Sequence, residues 1–295
     1  MENLKRPIKK AVFPVAGLGT RLLPATKVMP KEMLTIVDRP LIQLAVEEAC
    51  EAGIEEFIFV ISEGKDILIQ HFQEAPLLME TLRARGKYDQ ISKIDKINFS
   101  DSALKFVRQD KPLGLGHAVW CAKDLVGNEP FAVILPDDTV LSDETCLKQM
   151  MGGYHKMGGN LIASCEVPIQ DTSRYGVFKM IDRKDNTFTV QDLVEKPDPS
   201  LAPSNMAIFG RYILQPEIFG FLDEHEKGTG GEIQLTDAMA KLIRHQPFYG
   251  YIFEGERLDC GSEIGFVKAQ IAFALKRPDL APDIKSYMSQ KLKEV

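Results

Sequence analysis

Apolar residues in this chain fall into short runs separated by stretches with helical spacing, and the two patterns alternate. Residues 11–15 (Ala-Val-Phe-Pro-Val) form a first apolar run that reads as a buried strand. Leu41, Leu44, Ala45, Glu48 and Ala49 then recur at helical spacing, with Gly53 as the stop. The run 56–61 is rich in β-branched and aromatic residues and predicts a second strand. Helices are expected over 65–73 and 77–85, a polar surface insertion over 86–102 and a strand over 105–107. Gly114 opens another helix, and 131–135 is the clearest buried strand, ending at Pro136, Asp137 and Asp138. Strands are more frequent in the second half, over 160–167, 176–180, 188–194, 206–213 and 248–253. Helices are expected there over 143–157, 215–222, 234–244, 262–275 and from 281 onward. Such alternation predicts an α/β fold, with a Rossmann-like, mostly parallel or mixed central sheet carrying helices on both faces.

In such a sheet, ligands bind outside the carboxyl ends of the strands. The first strand opens there into Val15-Ala16-Gly17-Leu18-Gly19-Thr20-Arg21, followed by Pro30-Lys31-Glu32. Small residues and two glycines let a backbone approach a ligand closely with its N–H groups exposed. Arg21 and Lys31 bring two cations to the same mouth, and no acid lies between Gly17 and Arg21. This combination describes a polyphosphate site. The spacing is not that of a P-loop. A dinucleotide-binding turn requires a third glycine where Leu22 stands, although Asp38 lies about 20 residues on, where a ribose-binding acid would fall. The plainer alternative is a glycine turn with Arg21 on a solvated face. The Gln109 segment and the Asp137–Asp138 pair fall at the same sheet edge as the glycine loop.

Composition sharpens this picture. The 295 residues are 44% apolar and 26% charged, with a formal net charge of −6, so no broad field attracts nucleic acid. A polyanion site must then gather cations locally, which singles out Arg21, Lys31 and Lys196. Five scattered cysteines without metal-ligand spacing predict reduced, mostly packed thiols in a reducing compartment. Neither a secretory leader nor a bilayer-length apolar run is visible, and a cytoplasmic location with no membrane partner is expected. The five histidines show no pairing; His117, at a helix start, reads as a packing or capping residue. No Ser/His/Asp or Cys/His arrangement emerges, so a mechanism that needs no general base is preferred. No linker divides the chain, and one domain over 1–295 is expected.

Several polar residues have two readings. Asp137 and Asp138 follow a buried strand and are either ligands of Mg²⁺, which takes one or two carboxylates beside phosphates and water, or turn-forming acids. Asp259 lies between a strand and a helix and is a second metal ligand or a turn residue. Glu195 can accept from neighbouring sugar hydroxyls and Lys196 can hold a monophosphate, or the pair is a solvated face. Gly176 would let a backbone amide meet a hydroxyl. Gln109 and Gly114 suit the edge of a base, through a side-chain amide and a backbone N–H.

Six segments in order carry a resemblance: 13–21, 29–33, 113–118, 135–138, 174–177 and 194–197. With them the chain resembles, over nearly its whole length, the bacterial sugar nucleotidyltransferases that transfer a uridylyl group from UTP to glucose 1-phosphate. The resemblance implies the nucleotide-diphospho-sugar transferase fold and Mg²⁺ as cofactor. It implies a nucleotide-binding half over about 1–140, a sugar-phosphate half over 141–260 and C-terminal helices over 261–295. Ala16, Gly17, Glu32, Gln109 and Gly114 would hold the uridine, with Gly19 and Thr20 in the nucleotide loop. Arg21 and Lys31 would face the triphosphate, Asp137 would bind the metal, and Gly176, Glu195 and Lys196 would hold the sugar phosphate. Asp259 matches a second metal ligand of thymidylyl-transferring relatives. A homodimer or homotetramer is implied, with 284–295 as a contact segment. The alternatives are transfer of another nucleotide to another sugar phosphate, and a non-catalytic nucleotide-sugar binder.

Overall fold

Ala11, Val12 and Phe13 are fully buried, and their side chains alternate between two apolar layers. A strand buried on both faces belongs inside a sheet covered on both sides. The structure, a computed structural model, describes residues 5–294 apart from 96 and 101. Its strands are β1 (Lys10–Pro14), β2 (Thr35–Ile36), β3 (Arg39–Pro40), β4 (Glu56–Ile61), β5 (Leu104–Arg108), β6 (Phe131–Ile134), β7 (Asp138–Leu141), β8 (Asn160–Glu166), β9 (Gly176–Lys184), β10 (Thr187–Glu195), β11 (Met206–Leu214), β12 (Phe248–Ile252) and β13 (Glu256–Asp259).

Nine of these strands form one sheet in the order β5-β4-β1-β6-β11-β8-β12-β10-β9. The block β5-β4-β1-β6 is parallel throughout, as the alternating pattern predicts. On one face its side chains meet the helices Leu41–Glu51 and Cys146–Met157, around a stack in which Phe13 and Phe59 lie 5.0 Å apart. On the other face they meet the helices Leu115–Cys121, Ile218–Leu222 and Leu235–Leu242.

The second block makes the sheet mixed, one of the two expected forms, and adds a closure that was not expected. β11 runs antiparallel to both β6 and β8, and β10 runs antiparallel to both β9 and β12. A further pairing of Ala207 with Val177 joins β11 to β9, so that β11, β8, β12, β10 and β9 close into a five-stranded ring. The cause is local. Only Asp185 and Asn186 separate β9 from β10, and so short a connection permits only an antiparallel hairpin.

Three element predictions change. The expected insertion over 86–102 contains a helix, Tyr88–Asp95, that buries no residue and so carries no apolar stripe strong enough to read. The helix expected over 65–73 shortens to Ile67–Gln70, which leaves Lys65 in the loop before it. β7 and β13 form an antiparallel ribbon that the apolar pattern does not announce, with Asp138 opposite Asp259. All five cysteines are free thiols. Among the described residues no helix is long and apolar enough to cross a membrane.

A buried ion pair fastens β11 to the helix Leu41–Glu51. Arg211, 1% exposed, donates to both carboxylate oxygens of Glu48 at 2.9 and 2.8 Å and to the carbonyl of Leu135 at 2.9 Å. Removing one partner strands the other charge in the core. Glu48→Ala is expected to lower unfolding free energy by about 3–5 kcal/mol, measured by urea denaturation, and Glu48→Ala with Arg211→Met is expected to recover part of that loss.

Candidate active site

β1 is followed in space by β4 and then β5 on one side, while the chain returns to its other side for β6. Loops leaving the carboxyl ends of β1 and β6 therefore diverge, and the crevice between them is where such sheets bind ligands. Residues 15–33 leave from β1 and residues 135–137 leave from β6. The single helical turn Lys31–Met33 lies at this crevice, and the Lys31 ammonium meets Asp137 Oδ2 at 2.6 Å. Burial alone would depress the Lys31 ammonium, but Asp137, Glu32 and Asp138 outweigh it and hold its pKa above the ordinary value. Burial pushes the Asp137 carboxyl up, yet Lys31, the backbone and Arg21 together hold it below the carboxylate range. Both groups stay charged at neutral pH. Arg21 itself is exposed and makes no ion pair with a described residue.

Behind this pair lies a residue that the motifs did not reveal. Lys65 is 8% exposed, and its ammonium donates to the carbonyls of Val15 at 2.5 Å and Gly17 at 2.6 Å and to Glu32 Oε2 at 2.9 Å. One cation thus ties the glycine loop to the Lys31–Met33 turn. Glu32 is 1% exposed; burial raises its pKa against the pull of Lys65 and Lys31, and its Oε1 is buried without a partner among the described residues. Ala16 is buried, whereas Gly17 and Thr20 are exposed, with Thr20 opening a 3₁₀ turn and the Gly19 carbonyl held by the Thr26 hydroxyl at 2.8 Å.

At the other end of the edge, the Gln109 amide N–H of the backbone continues the β4–β5 pairing to Ile61 O at 2.8 Å. The Gln109 side chain donates from Nε2 to the carbonyl of Gly114 at 3.1 Å. Gly114 has φ 105°, and a Cβ there would fall 2.8 Å from the carbonyl of Ile233, so only glycine fits. His117 meets the packing half of its expectation, buried and stacked on Trp120. It caps no helix end, and its Nδ1 lies 2.9 Å from Gln109 Nε2.

The acids meet across the β7–β13 ribbon. A Cβ on Gly261 would lie 2.9 Å from Asp137 Oδ2 and 3.2 Å from Asp259 Oδ1, so the two carboxylates converge on a space kept open by a glycine. Oxygen donors from two carboxylates suit a hard divalent cation whose remaining positions go to phosphate and water. Asp138 is turned away: its Oδ2 accepts from Gly210 N at 3.1 Å, and its pKa is pushed up to about 6 by burial, against Arg257, with Asp137 and Asp259 adding to the rise. Among the described residues no cluster of three or more His, Cys, Asp or Glu forms a complete metal cage.

Asp259 leads on to the residues of the second half. Arg174 donates to Asp259 Oδ2 at 3.1 Å, and the backbone N–H of Lys196 donates to Tyr175 O at 3.0 Å. Hairpin register sets Glu195 opposite Gly176, and Thr236, unannounced by any motif, donates to Glu195 Oε2 at 2.7 Å. Lys196 is held at φ 48°, a costly conformation for a residue with a Cβ, and its ammonium lies 3.2 Å from Glu195 Oε1. Gly176, Glu195 and Lys196 are therefore one cluster, Lys31, Asp137 and Asp259 another, and Arg174 bridges them. No direct contact joins Lys196 to Lys31 or Asp137 among the described residues.

Known proteins resemble the chain over most of its length. The family model described as nucleotidyl transferase matches residues 10–274. The UTP–glucose-1-phosphate uridylyltransferase of Komagataeibacter xylinus is 51% identical over 259 residues, 88% of this chain and 91% of that protein. A solved UTP-bound UGPase from Acinetobacter baumannii superposes with a TM-score of 0.88 at 40% identity, over 96% of this chain and 99% of that one. A UDP-glucose pyrophosphorylase solved with UDP-glucose gives 0.82 at 42% identity, over 92% and 100%. With its family model spanning the sheet and the cleft, and relatives of this identity matching nearly end to end, the chain belongs to the nucleotidyl transferase family and, within it, to the bacterial UTP–glucose-1-phosphate uridylyltransferases.

Proposed function

We propose that the cleft carries out its family's reaction by charge neutralisation and positioning alone. The reaction is UTP plus glucose 1-phosphate giving UDP-glucose and diphosphate. A phosphate oxygen of the sugar phosphate forms a bond to the α-phosphorus of UTP, and the bridging bond to the β-phosphate breaks. The nucleophile is anionic at neutral pH, so no base has to take a proton. The barrier comes from bringing two anions into line while charge builds on the leaving diphosphate.

The nucleotide occupies the half up to about residue 140. The loop holding Ala16, Gly17, Gly19 and Thr20 cradles it, Glu32 lines its ribose and base side, and Gln109 with Gly114 takes the base edge. Arg21 and Lys31 neutralise the triphosphate and the departing diphosphate. In the sugar-phosphate half, Glu195 and the backbone of Gly176 hold the sugar, and Lys196 steers its phosphate to the crevice. Asp137 and Asp259 would hold Mg²⁺, which would supply further neutralisation of phosphate oxygens. The helices beyond 261 pack beside the cleft, with Gln270 and Arg277 bonded to Val37 and Asp38. A homodimer or homotetramer is part of this reading, and sedimentation velocity at micromolar concentration distinguishes it from a monomer.

The observation that supports the reading most is the 2.6 Å contact of Lys31 with Asp137 at the point where the sheet order reverses. Diphosphate release is expected with UTP and glucose 1-phosphate. Lys31→Ala and Asp137→Ala are each expected to lower kcat by about 10²–10³ with an unchanged circular-dichroism spectrum; near-normal turnover in either overturns the assignment. EDTA is expected to abolish turnover and added Mg²⁺ to restore it. Lys196→Ala is expected to raise KM for glucose 1-phosphate while KM for UTP changes little. Lys65→Met should instead raise KM for UTP, because the glycine loop loses its tether, with initial rates at varied UTP as the measurement.

A further inference from the structure

Gln109 Nε2 lies 3.1 Å from the carbonyl of Gly114. A carbonyl only accepts, so the atom facing it must be the amide nitrogen, and the orientation of the Gln109 side chain follows from chemistry. That nitrogen carries a second N–H, and the group 2.9 Å away is His117 Nδ1. Two donors cannot face one another, so His117 Nδ1 is the unprotonated acceptor and its proton sits on Nε2. Both N–H bonds of Gln109 are then spent within the protein. Its Oε1 is the remaining polar atom, and it makes no hydrogen bond to a described residue.

The imidazole is held in place from outside. Trp120 stacks on it at 5.5 Å and 27°, and His225 meets it edge-on at 5.7 Å. His225 in turn packs on Trp120 at 4.5 Å, and Trp120 Nε1 donates to Asp223 Oδ1 at 2.7 Å. The Cys121 thiol lies 3.8 Å from Nδ1. Burial, reinforced by the neighbouring His225, lowers the His117 pKa, which favours the neutral ring.

We propose that His117 is a positioning residue that sets base selectivity, by accepting the second N–H of Gln109 and so presenting only Oε1 to the nucleobase. This rests on the assignment of Gln109 to the base edge made above. An acceptor at that point reads a ring N–H, which uracil carries at N3. Cytosine presents an acceptor at N3, and two facing acceptors leave both buried and unpaired. Without His117, only the single bond to the Gly114 carbonyl opposes turning of the amide, and a turned amide offers its N–H to cytosine.

The test compares kcat/KM for UTP and CTP in the full-length enzyme. His117→Phe is expected to lower the UTP-to-CTP ratio by about 10-fold or more, with the change in KM for the nucleotide and KM for glucose 1-phosphate as control. His117→Gln, which retains an acceptor, is expected to keep most of the ratio. If His117→Gln relaxes selectivity as far as His117→Phe, the role is packing and the inference falls. Gln109→Ala separates the two levels of the argument. Unchanged KM for UTP in that variant overturns the base-site assignment. A raised KM there, with a wild-type UTP-to-CTP ratio in His117→Phe, overturns the role of His117 alone. Should His117→Phe fail to fold, long-range ¹H–¹⁵N correlation on the wild-type protein decides: an unprotonated Nδ1 is expected, and a protonated Nδ1 refutes the proposal.

Discussion

The Lys31–Asp137 pair solves a problem that this molecule sets for itself. Its net charge is −6, its cleft must admit two phosphate-bearing anions, and a carboxylate must stand among them. A half-buried acid alone would repel the substrates or take up a proton, and a half-buried ammonium alone would lose its charge. At 2.6 Å each keeps the other ionised, which is the direction in which both pKa values move. The contact also joins the loop after β1 to the loop after β6, so the two walls of the crevice are registered by an electrostatic bond. Beside this bond, Asp137 and Asp259 face one another across the space that Gly261 keeps open.

Most of the outer features of this arrangement were legible in the letters. Both-faced burial of 11–13 and 131–134 shows as unbroken apolar runs, which only a covered parallel sheet explains. The residues at the carboxyl ends of those runs could be named because their types suit phosphates and metal. Lys65 and Thr236 could not, because each reaches its partner across the fold at a sequence distance that no motif encodes; Arg174 lies in a quoted segment, but its bond to Asp259 is equally remote. The lysine is a clear case: nothing in its neighbourhood separates it from the exposed lysines of a loop, yet it is buried among two carbonyls and Glu32. The closed ring of strands was missed for a related reason. Alternating apolar runs report burial but not direction, and the two-residue turn at Asp185 and Asn186 sets the direction of β10 against β9 alone.

The two halves of the sheet divide the labour along physical lines. The parallel block ends all its strands on one edge, which suits a ligand recognised by backbone amides and by cations placed in the loops. The ring beyond it is mixed, with β8 and β12 parallel and its other pairs antiparallel, and its β9–β10 hairpin sets side chains opposite one another by register. That register brings Glu195 to Gly176, and the φ of 48° at the next residue turns the chain sharply at Lys196. A strained lysine at the end of a regular strand is poor for stability. It persists where the surroundings over-determine it, here through the backbone bond to Tyr175 and the ion pair with Glu195.

The same logic explains where the histidines went. A transfer between phosphates needs no proton moved from the nucleophile, so a neutral imidazole has no catalytic place beside Lys31, Asp137 or Lys196, and none is found there among the described residues. The His117 imidazole serves instead through its acceptor nitrogen, on Gln109. An amide side chain is ambiguous by nature, since its two ends are alike in shape and opposite in hydrogen bonding. Gly114 fixes one N–H of Gln109, and a group that can only accept is needed to fix the other. A carboxylate there would bury a charge beside a neutral amide, whereas a neutral His wedged between Trp120 and His225 does so without one.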